Sequence, residues 1–489
     1  MCRIHALTLL FCAASAMAQT AAGRYTVRPD QPKQTIRGLG FEIQSDSIGS
    51  DNLGLPDKIV AVPHDLEPAE RKRFYSEMLS GFRYCRLAMG LYLRGTDPDR
   101  KQVVERYPGQ MRDLKEIQDA ARIEGFAVEY WSPTPYWKSN GKYAGGTLKR
   151  FDPDFLSQFA SALVEDVRYL QRNGLKVVQW GLQNEPPVDH EKYSTCGYDG
   201  DQYYKAMKAV APRIREAFPN VFIHADSWGG QSTAGSALIR RDPQLLKLVD
   251  GWTWHRIGAD SNEQIQKAAL FNDGAEGKQV FNNEFEYLEG AASDQRFVNT
   301  AQSIMNWFVF ESSSTWFWLH ALKPTYNAEA SGYALDFWRP ADDKDMSRLP
   351  GIKPGHWDYN RQNWNSLAGF LKYLPWDSVR LQVDEDQVRL DNRILAWKTP
   401  SGKLGVAVTN RSGQPFRFRI ETGRASTFAG YRSTPREANV ALGRSKGPEL
   451  NPEVPDLAIE FWVERETSGP RADASPRAAA IRVPSFENR

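Results

Sequence analysis

Apolar positions along this chain follow two rhythms that alternate from about Gln34 onward. Short runs of branched and aromatic residues are each followed by a longer stretch with apolar residues three or four apart. The short runs read as strands and the long ones as amphipathic helices. Strand candidates are Thr35–Gln44, Phe82–Met89, Ala127–Ser132, Lys176–Asn184, Val221–Asp226, Val249–His255, Gln279–Glu284 and Ser314–His320. Between them lie helical patterns such as Gln202–Phe218 and Asp154–Asn173, where Phe155, Phe159, Leu163, Val167 and Leu170 make one stripe. Strand–helix alternation marks parallel βα units, and eight of them predict an α/β fold, the (β/α)8 TIM barrel. A doubly wound open sheet is the competing arrangement. No strand, however, is followed by a glycine-rich nucleotide fingerprint, and Gly38-Leu39-Gly40 lacks the rest of that motif.

The rhythm fades between Lys323 and Trp364, a Pro-, Gly- and Asp-containing stretch expected to be a long connection or an active-site loop. Beyond Trp364 the runs become short and alternating, at Val379–Val383, Gln387–Leu390, Ile394–Lys398, Leu404–Thr409 and Phe416–Glu421. Asp, Gly and Asn turns separate them, which predicts an accessory antiparallel β-sandwich, with Arg24–Val27 as a further strand of it. At the start of the chain, Arg3, an apolar stretch from Ala6 to Ala14 and Ala16-Met17-Ala18 read as a secretory signal with its cleavage site. The expected division is a signal peptide over 1–18, an N-terminal segment contributing to the sandwich over 19–33 and the barrel over 34–364. The β-sandwich follows over 365–466, and a tail over 467–489, rich in Pro, Ala, Ser and Arg, is expected to be disordered.

Composition narrows the partners. The 489 residues carry a net charge of +2, which offers no electrostatic footprint for nucleic acid. No stretch after the signal is long and apolar enough to span a bilayer, so no membrane insertion is expected. A secreted or periplasmic location follows from the signal, and the oligomeric state is left open. Of four cysteines, Cys85 and Cys196 lie beyond the signal, as a disulfide or as two separate thiols. Fifteen Trp and nineteen Tyr are enough both for core packing and for stacking on sugar faces.

In a TIM barrel the site sits at the C-terminal ends of the strands. Here those ends carry Arg86, the Trp131–Trp137 stretch, Asn184-Glu185, Asp226-Ser227-Trp228, Trp254-His255, Glu284 and Trp318. Two carboxylates on the fourth and seventh strands would face each other across the mouth. Cleaving a glycosidic bond needs a proton for the leaving oxygen and negative charge beside the developing oxocarbenium ion, and two carboxyl groups in different surroundings supply both. Glu185 and Glu284 are therefore the candidate catalytic residues. Arg86, Trp137, Asn184, Trp228, His255 and Trp318 are candidates to bind a carbohydrate substrate. No metal or organic cofactor is called for. Each residue alone has a plainer reading: a lone strand-end Glu is usually solvated, and Trp137, Trp228 and Trp254 equally suit a core. Their co-occurrence at successive strand ends favours the site. Two other classes remain, a catalytically silent carbohydrate-binding protein and a metal-dependent hydrolase using His224, Asp226 and His255.

The stretches "WGLQNEPP" and "QVFNNEF", in that order, resemble the retaining glycoside hydrolases of clan A. Within the clan, "YWSPTPYWKSNG" at Tyr130–Gly141 and "NWNSLAGFLKYLP" at Asn363–Pro375 are similar to glycoside hydrolase family 30. The resemblance implies Glu185 as acid/base and Glu284 as nucleophile, with Arg86, Asn184, Trp137, His255 and Trp318 lining the site. It also implies an N-terminal strand threaded into the sandwich. "GLGFEIQSDS" and "RLAMGLYLRG" depart from the family pattern near the substrate subsites, and Glu286 is the alternative nucleophile.

Overall fold

The computed structural model describes residues 21–43, 65–229, 233–256, 275–285, 293–326 and 334–465. The expected signal, the expected tail and Glu286 lie outside them. A long strand, β1 (Ala21–Ile36), precedes eight barrel strands. These are β2 (Gly38–Ile43), β3 (Tyr84–Met89), β4 (Gly125–Tyr130), β5 (Val177–Gly181), β6 (Phe222–Trp228), β7 (Gly251–His255), β8 (Gln279–Phe285) and β9 (Thr315–Trp318). Each pairs in parallel with the next, and β9 pairs with β2 to close the barrel. All eight strand candidates are present. Inside, Tyr84, Ala127, Phe281 and Phe317 pack together and fill the barrel below its mouth.

The crossover helices include α1 (Gln110–Ala121), α2 (Pro153–Arg172), α3 (Gly200–Ala217) and α4 (Asp294–Phe310). Their starts are written in the sequence. Asp152 accepts the Phe155 amide with Pro153 at the first helical position, and Asp199 with Gln202 forms a capping box. The stripe Phe155, Phe159, Leu163, Val167 and Leu170 is buried, so α2 presses its apolar face onto the barrel.

Two sequence readings need correction. The stretch after Lys323 is not simply a loop: β10 (His320–Pro324), β11 (Ala334–Trp338) and β12 (Trp357–Tyr359) form a three-stranded sheet. Its strands bury His320, Lys323 and Asp336 at 1%, 0% and 0% exposure, so charged residues sit where a core pattern would be apolar, which masks the strands. Conversely, Gln387–Leu390 is a connection, not a strand. Val388 and Leu390 are exposed, and Arg389 pairs with Asp386 to close the turn.

A helix, α5 (Arg361–Tyr373), leads into β13 (Ser378–Glu385), β14 (Asn392–Lys398), β15 (Leu404–Asn410) and β16 (Phe416–Glu421). After them come β17 (Thr427–Ser433), β18 (Val440–Lys446) and β19 (Ala458–Glu464). With β1 and two short strands they make one ten-stranded sheet. β1 runs antiparallel to β13 and parallel to β16. Tyr25, Val27, Ile394, Val406, Phe418, Phe428 and Leu450 share one core, so the sheet folds over on itself. Its outer face docks on the barrel, where Phe461 packs against Phe370 and Tyr373 of α5. Gln302 of α4 donates to Thr409 Oγ1. Cys85 and Cys196 are both buried free thiols, so the bridge is not formed. No helix among the described residues is long and apolar enough to cross a membrane.

Candidate active site

The buried centre of the barrel mouth is Arg86, which is 1% exposed. It rises from β3, and its guanidinium serves three carboxylates from three other strands. Nη1 donates to Glu42 Oε2 at 2.8 Å and to Glu284 Oε2 at 2.6 Å. Nε donates to Glu129 Oε2 at 2.9 Å, which Nη2 also reaches. Nη2 donates to Asn184 Oδ1 at 2.5 Å as well. The Trp131 ring lies 4.4 Å from the guanidinium carbon. The fork geometry of Arg is what lets one cation engage several acceptors at fixed angles.

Glu185 stands past the end of β5, four residues beyond Gly181. Its backbone is left-handed, with φ of 47°, and its amide donates to Ser227 O at 2.9 Å. A strained backbone at a non-glycine residue has to be held by its surroundings. His255, at the end of β7, places Nδ1 3.1 Å from Glu185 Oε1 and Nε2 3.5 Å from Glu284 Oε2. One oxygen of Glu185, one ring nitrogen of His255 and one oxygen of Glu284 all lie within 4.8 Å of one another. The Glu185 side chain keeps 18% exposure while that of Glu284 keeps 5%, so the two carboxyls sit in different surroundings.

The electrostatics follow from burial. Desolvation pushes Glu284 above the ordinary carboxylate range; His255 and Arg86 pull it back, and the Glu185 charge pushes it up again. Desolvation also acts on Glu129, but there Arg86, with His224, wins and the carboxyl is held below its usual value. Burial brings His224 down to about 4, so it is neutral near pH 7.

Two backbone irregularities decide which side chains reach this centre. On β8 the register slips between Asn282 and Glu284, and both Asn283 and Glu284 present polar atoms to the site. On β6 the register slips between Asp226 and Trp228, where Asp226 and Ser227 have φ of 77° and 56°. Ser227 thereby turns inward to His255, and Asp226 turns away to accept from Thr233 Oγ1 at 2.7 Å. His224 faces Glu129 and sits 3.1 Å from Thr253 Oγ1. The trio His224, Asp226 and His255 is thus not assembled as a metal centre, because the slip removes Asp226 from the shared face. A cation entering between Glu185, His255 and Glu284 would meet the Arg86 guanidinium, already bonded to Glu284.

Of the candidates read from the sequence, Glu185, Glu284, Arg86, Asn184 and His255 come together. Trp137 does not join them: its indole packs on Phe155 and Phe159 of α2 and donates to Lys101 O, a core role. Trp318 is fully buried against Phe285 and Trp316, behind the strand that carries Glu284. Trp228 is half-buried at the end of β6. Glu42, Glu129, Ser227 and Asn283 belong to the site but were not singled out. Glu42 follows Gly40 and Glu129 follows Ala127 at a spacing of two, so a small residue followed by a charge on the same strand face was the available signal.

A closed parallel barrel with paired carboxylates at its C-terminal mouth and a second, antiparallel sheet domain defines the class of fold. Solved structures with that fold align along almost the whole chain. The catalytic domain of a GH30 xylanase C from Talaromyces cellulolyticus is 15% identical, with a TM-score of 0.67, covering 91% of this chain and 100% of that one. A conserved exported protein from Bacteroides fragilis is 13% identical, with a TM-score of 0.70 and coverage of 90% and 99%. An endo-β1,6-glucanase is 15% identical, with a TM-score of 0.66 and coverage of 90% and 94%. No protein-family model and no curated protein matches the chain. The likeness shows the fold, a (β/α)8 barrel with an attached antiparallel sheet domain as in these structures.

Proposed function

We propose that the protein is an exported retaining glycoside hydrolase that cleaves β-linked oligo- or polysaccharides with Glu284 as nucleophile and Glu185 as acid/base. The observation that carries this reading is the pair itself, with facing oxygens within 4.8 Å. Retaining enzymes hold their carboxyl groups about 5–5.5 Å apart, whereas inverting ones leave about 6.5–9.5 Å for a water. Two carboxyls this close repel, so the pair favours one proton. Arg86 bonds Glu284 directly and favours its ionised form against the desolvation that raises it, as a nucleophile requires, while Glu185 keeps the more exposed position from which an acid can reach a leaving oxygen. Glu284 then attacks the anomeric carbon while Glu185 gives its proton to the leaving oxygen. Glu185 next takes a proton from water, which releases the sugar from Glu284. Asn184, the residue preceding the acid, would give its amide N–H to a sugar hydroxyl, since its Oδ1 is already taken by Arg86.

The neighbours of this fold include xylanases and a β1,6-glucanase, which supports a carbohydrate substrate for this chain. Export rests on the signal-like residues 1–18, and N-terminal sequencing of the mature protein tests it. The enzymatic test is hydrolysis of a panel of β-linked aryl glycosides and polysaccharides, followed by NMR of the anomeric configuration first formed. Retention, and labelling of Glu284 by a 2-deoxy-2-fluoro glycoside, are expected. An inverted product, or a label elsewhere, overturns the assignment.

A further inference from the structure

His255 touches both carboxylates, and what holds its ring is a chain of side chains that a glycosidic reaction does not itself require. Asn283 Nδ2 lies 3.1 Å from Glu129 Oε2 and 2.8 Å from Ser227 Oγ. Glu129, held ionised by Arg86, can only accept hydrogen bonds, so the Asn283 group facing it must be the NH2. That amide therefore spends its second hydrogen on Ser227, and Ser227 Oγ is an acceptor towards Asn283. The hydroxyl keeps its own proton to give, and His255 Nε2 lies 3.1 Å away. Once Nε2 accepts, a neutral imidazole carries its hydrogen on Nδ1, the nitrogen 3.1 Å from Glu185 Oε1.

We infer that Asn283 and Ser227 are positioning residues that lock His255 as the Nδ1–H donor to Glu185 Oε1, so that the catalytic proton is carried on Oε2. The inference rests on Glu185 being the acid/base. The left-handed backbone at Asp226 and Ser227 is what aims the hydroxyl into the chain, since regular alternation after His224 would have presented Asp226. Other charges face the same groups. Glu185 is faced by Glu284 and Tyr193, and His255 by Glu284, Glu129 and His224, with Arg86 behind Glu284. Glu129 is the competing acceptor for the Ser227 proton. If it took that proton, Nε2 would have to carry a hydrogen.

The first test needs no substrate. Ring 15N NMR of histidine-labelled protein, with the His255 signals assigned by their loss in His255→Gln, reads the tautomer directly. A protonated Nδ1 and an unprotonated Nε2 near pH 7 are expected. An Nε2–H tautomer, or a doubly protonated ring, overturns the inference. In Ser227→Ala the Nδ1–H preference is expected to fade, and Glu185 Oε1 loses the donor that fixes its orientation. Aryl glycosides with poor leaving groups slow on the order of tenfold, part of the 10²–10⁴ that a general acid supplies. Dinitrophenyl glycosides, which need no protonation, barely change. Equal losses on both substrate types overturn the role of Ser227. If Ser227→Ala does not fold, the tautomer in the unaltered protein still decides. Absence of any glycoside hydrolysis by the unaltered protein would instead defeat the proposed function, which keeps the two failures apart.

Discussion

Replacing Arg86 with Met removes the one guanidinium shared by Glu42, Glu129 and Glu284, all within 5% exposure of fully buried. The Met side chain keeps much of the volume, so the change is mainly electrostatic. Stranding a buried partner costs about 3–5 kcal/mol in typical cases, and here three carboxylates lose their cation. The pH dependence gives the sharper test. In the parent, Glu129 has a depressed folded-state pKa, so its contribution is present above the unfolded value, about 4.3, and is lost as pH falls through the folded value. Without Arg86 the largest offset to desolvation at Glu129 is gone, leaving only His224, Ser227 and His255, so Glu129 rises, and Glu284, already raised, rises further with only His255 to oppose it. The folded variant then binds more protons than the unfolded chain at intermediate pH, and its stability falls as pH rises through that window. Each unit of displacement is worth about 1.4 kcal/mol. Urea unfolding of parent and Arg86→Met at pH 5 and pH 8, followed by tryptophan fluorescence, is expected to show the larger deficit at pH 8. A deficit below about 1 kcal/mol, well short of the buried-pair range, would refute the reasoning, as would an equal deficit at both pH values.

Three further outcomes are expected. Burial raises Asp166 to about 8, with the Val103 amide and Tyr130 hydroxyl as its partners at 2.8 and 2.9 Å. Its raised pKa means the parent loses stability as pH rises from the unfolded value towards 8, so Asp166→Asn should gain on the parent between pH 6 and pH 9 in thermal unfolding. A Cβ on Gly181 would sit 2.3 Å from His224 Cε1 and 2.9 Å from Glu129 Oε1. Gly181→Ala is therefore expected to cost about 1–3 kcal/mol in urea unfolding and to lower activity by shifting Glu129 under Arg86; an unchanged variant would contradict the packing. Cys85 and Cys196, free and buried, should react with a thiol reagent only after unfolding, and a reductant should leave the melting temperature unchanged.

Much of the fold was legible because its rules are local. Period-two and period-3.6 patterns located every barrel strand, and Asp152 and Asp199 marked helix starts by side-chain caps that need only their own turn. The three-stranded sheet after the barrel escaped because its strands bury His320, Lys323 and Asp336, and only neighbours distant in sequence make such burial possible. Likewise Val388 suggested a strand by composition, although it lies in an exposed turn.

For the site, the chain by itself determined which strand ends carry Glu185, Glu284, Arg86, Asn184 and His255, because a barrel maps strand order onto position around its mouth. It could not determine which neighbouring side chain faces inward. Strict alternation puts His224 and Asp226 on one face, and with Asn283 turned inward it would turn Glu284 outward. Register slips on β6 and β8 reverse both outcomes, bringing in Ser227 and Glu284 and sending Asp226 to Thr233. Those slips arise from pairing with adjacent strands, a relation between segments far apart in the chain. The tertiary structure alone decided them, and with them the sharing of Arg86 among Glu42, Glu129 and Glu284.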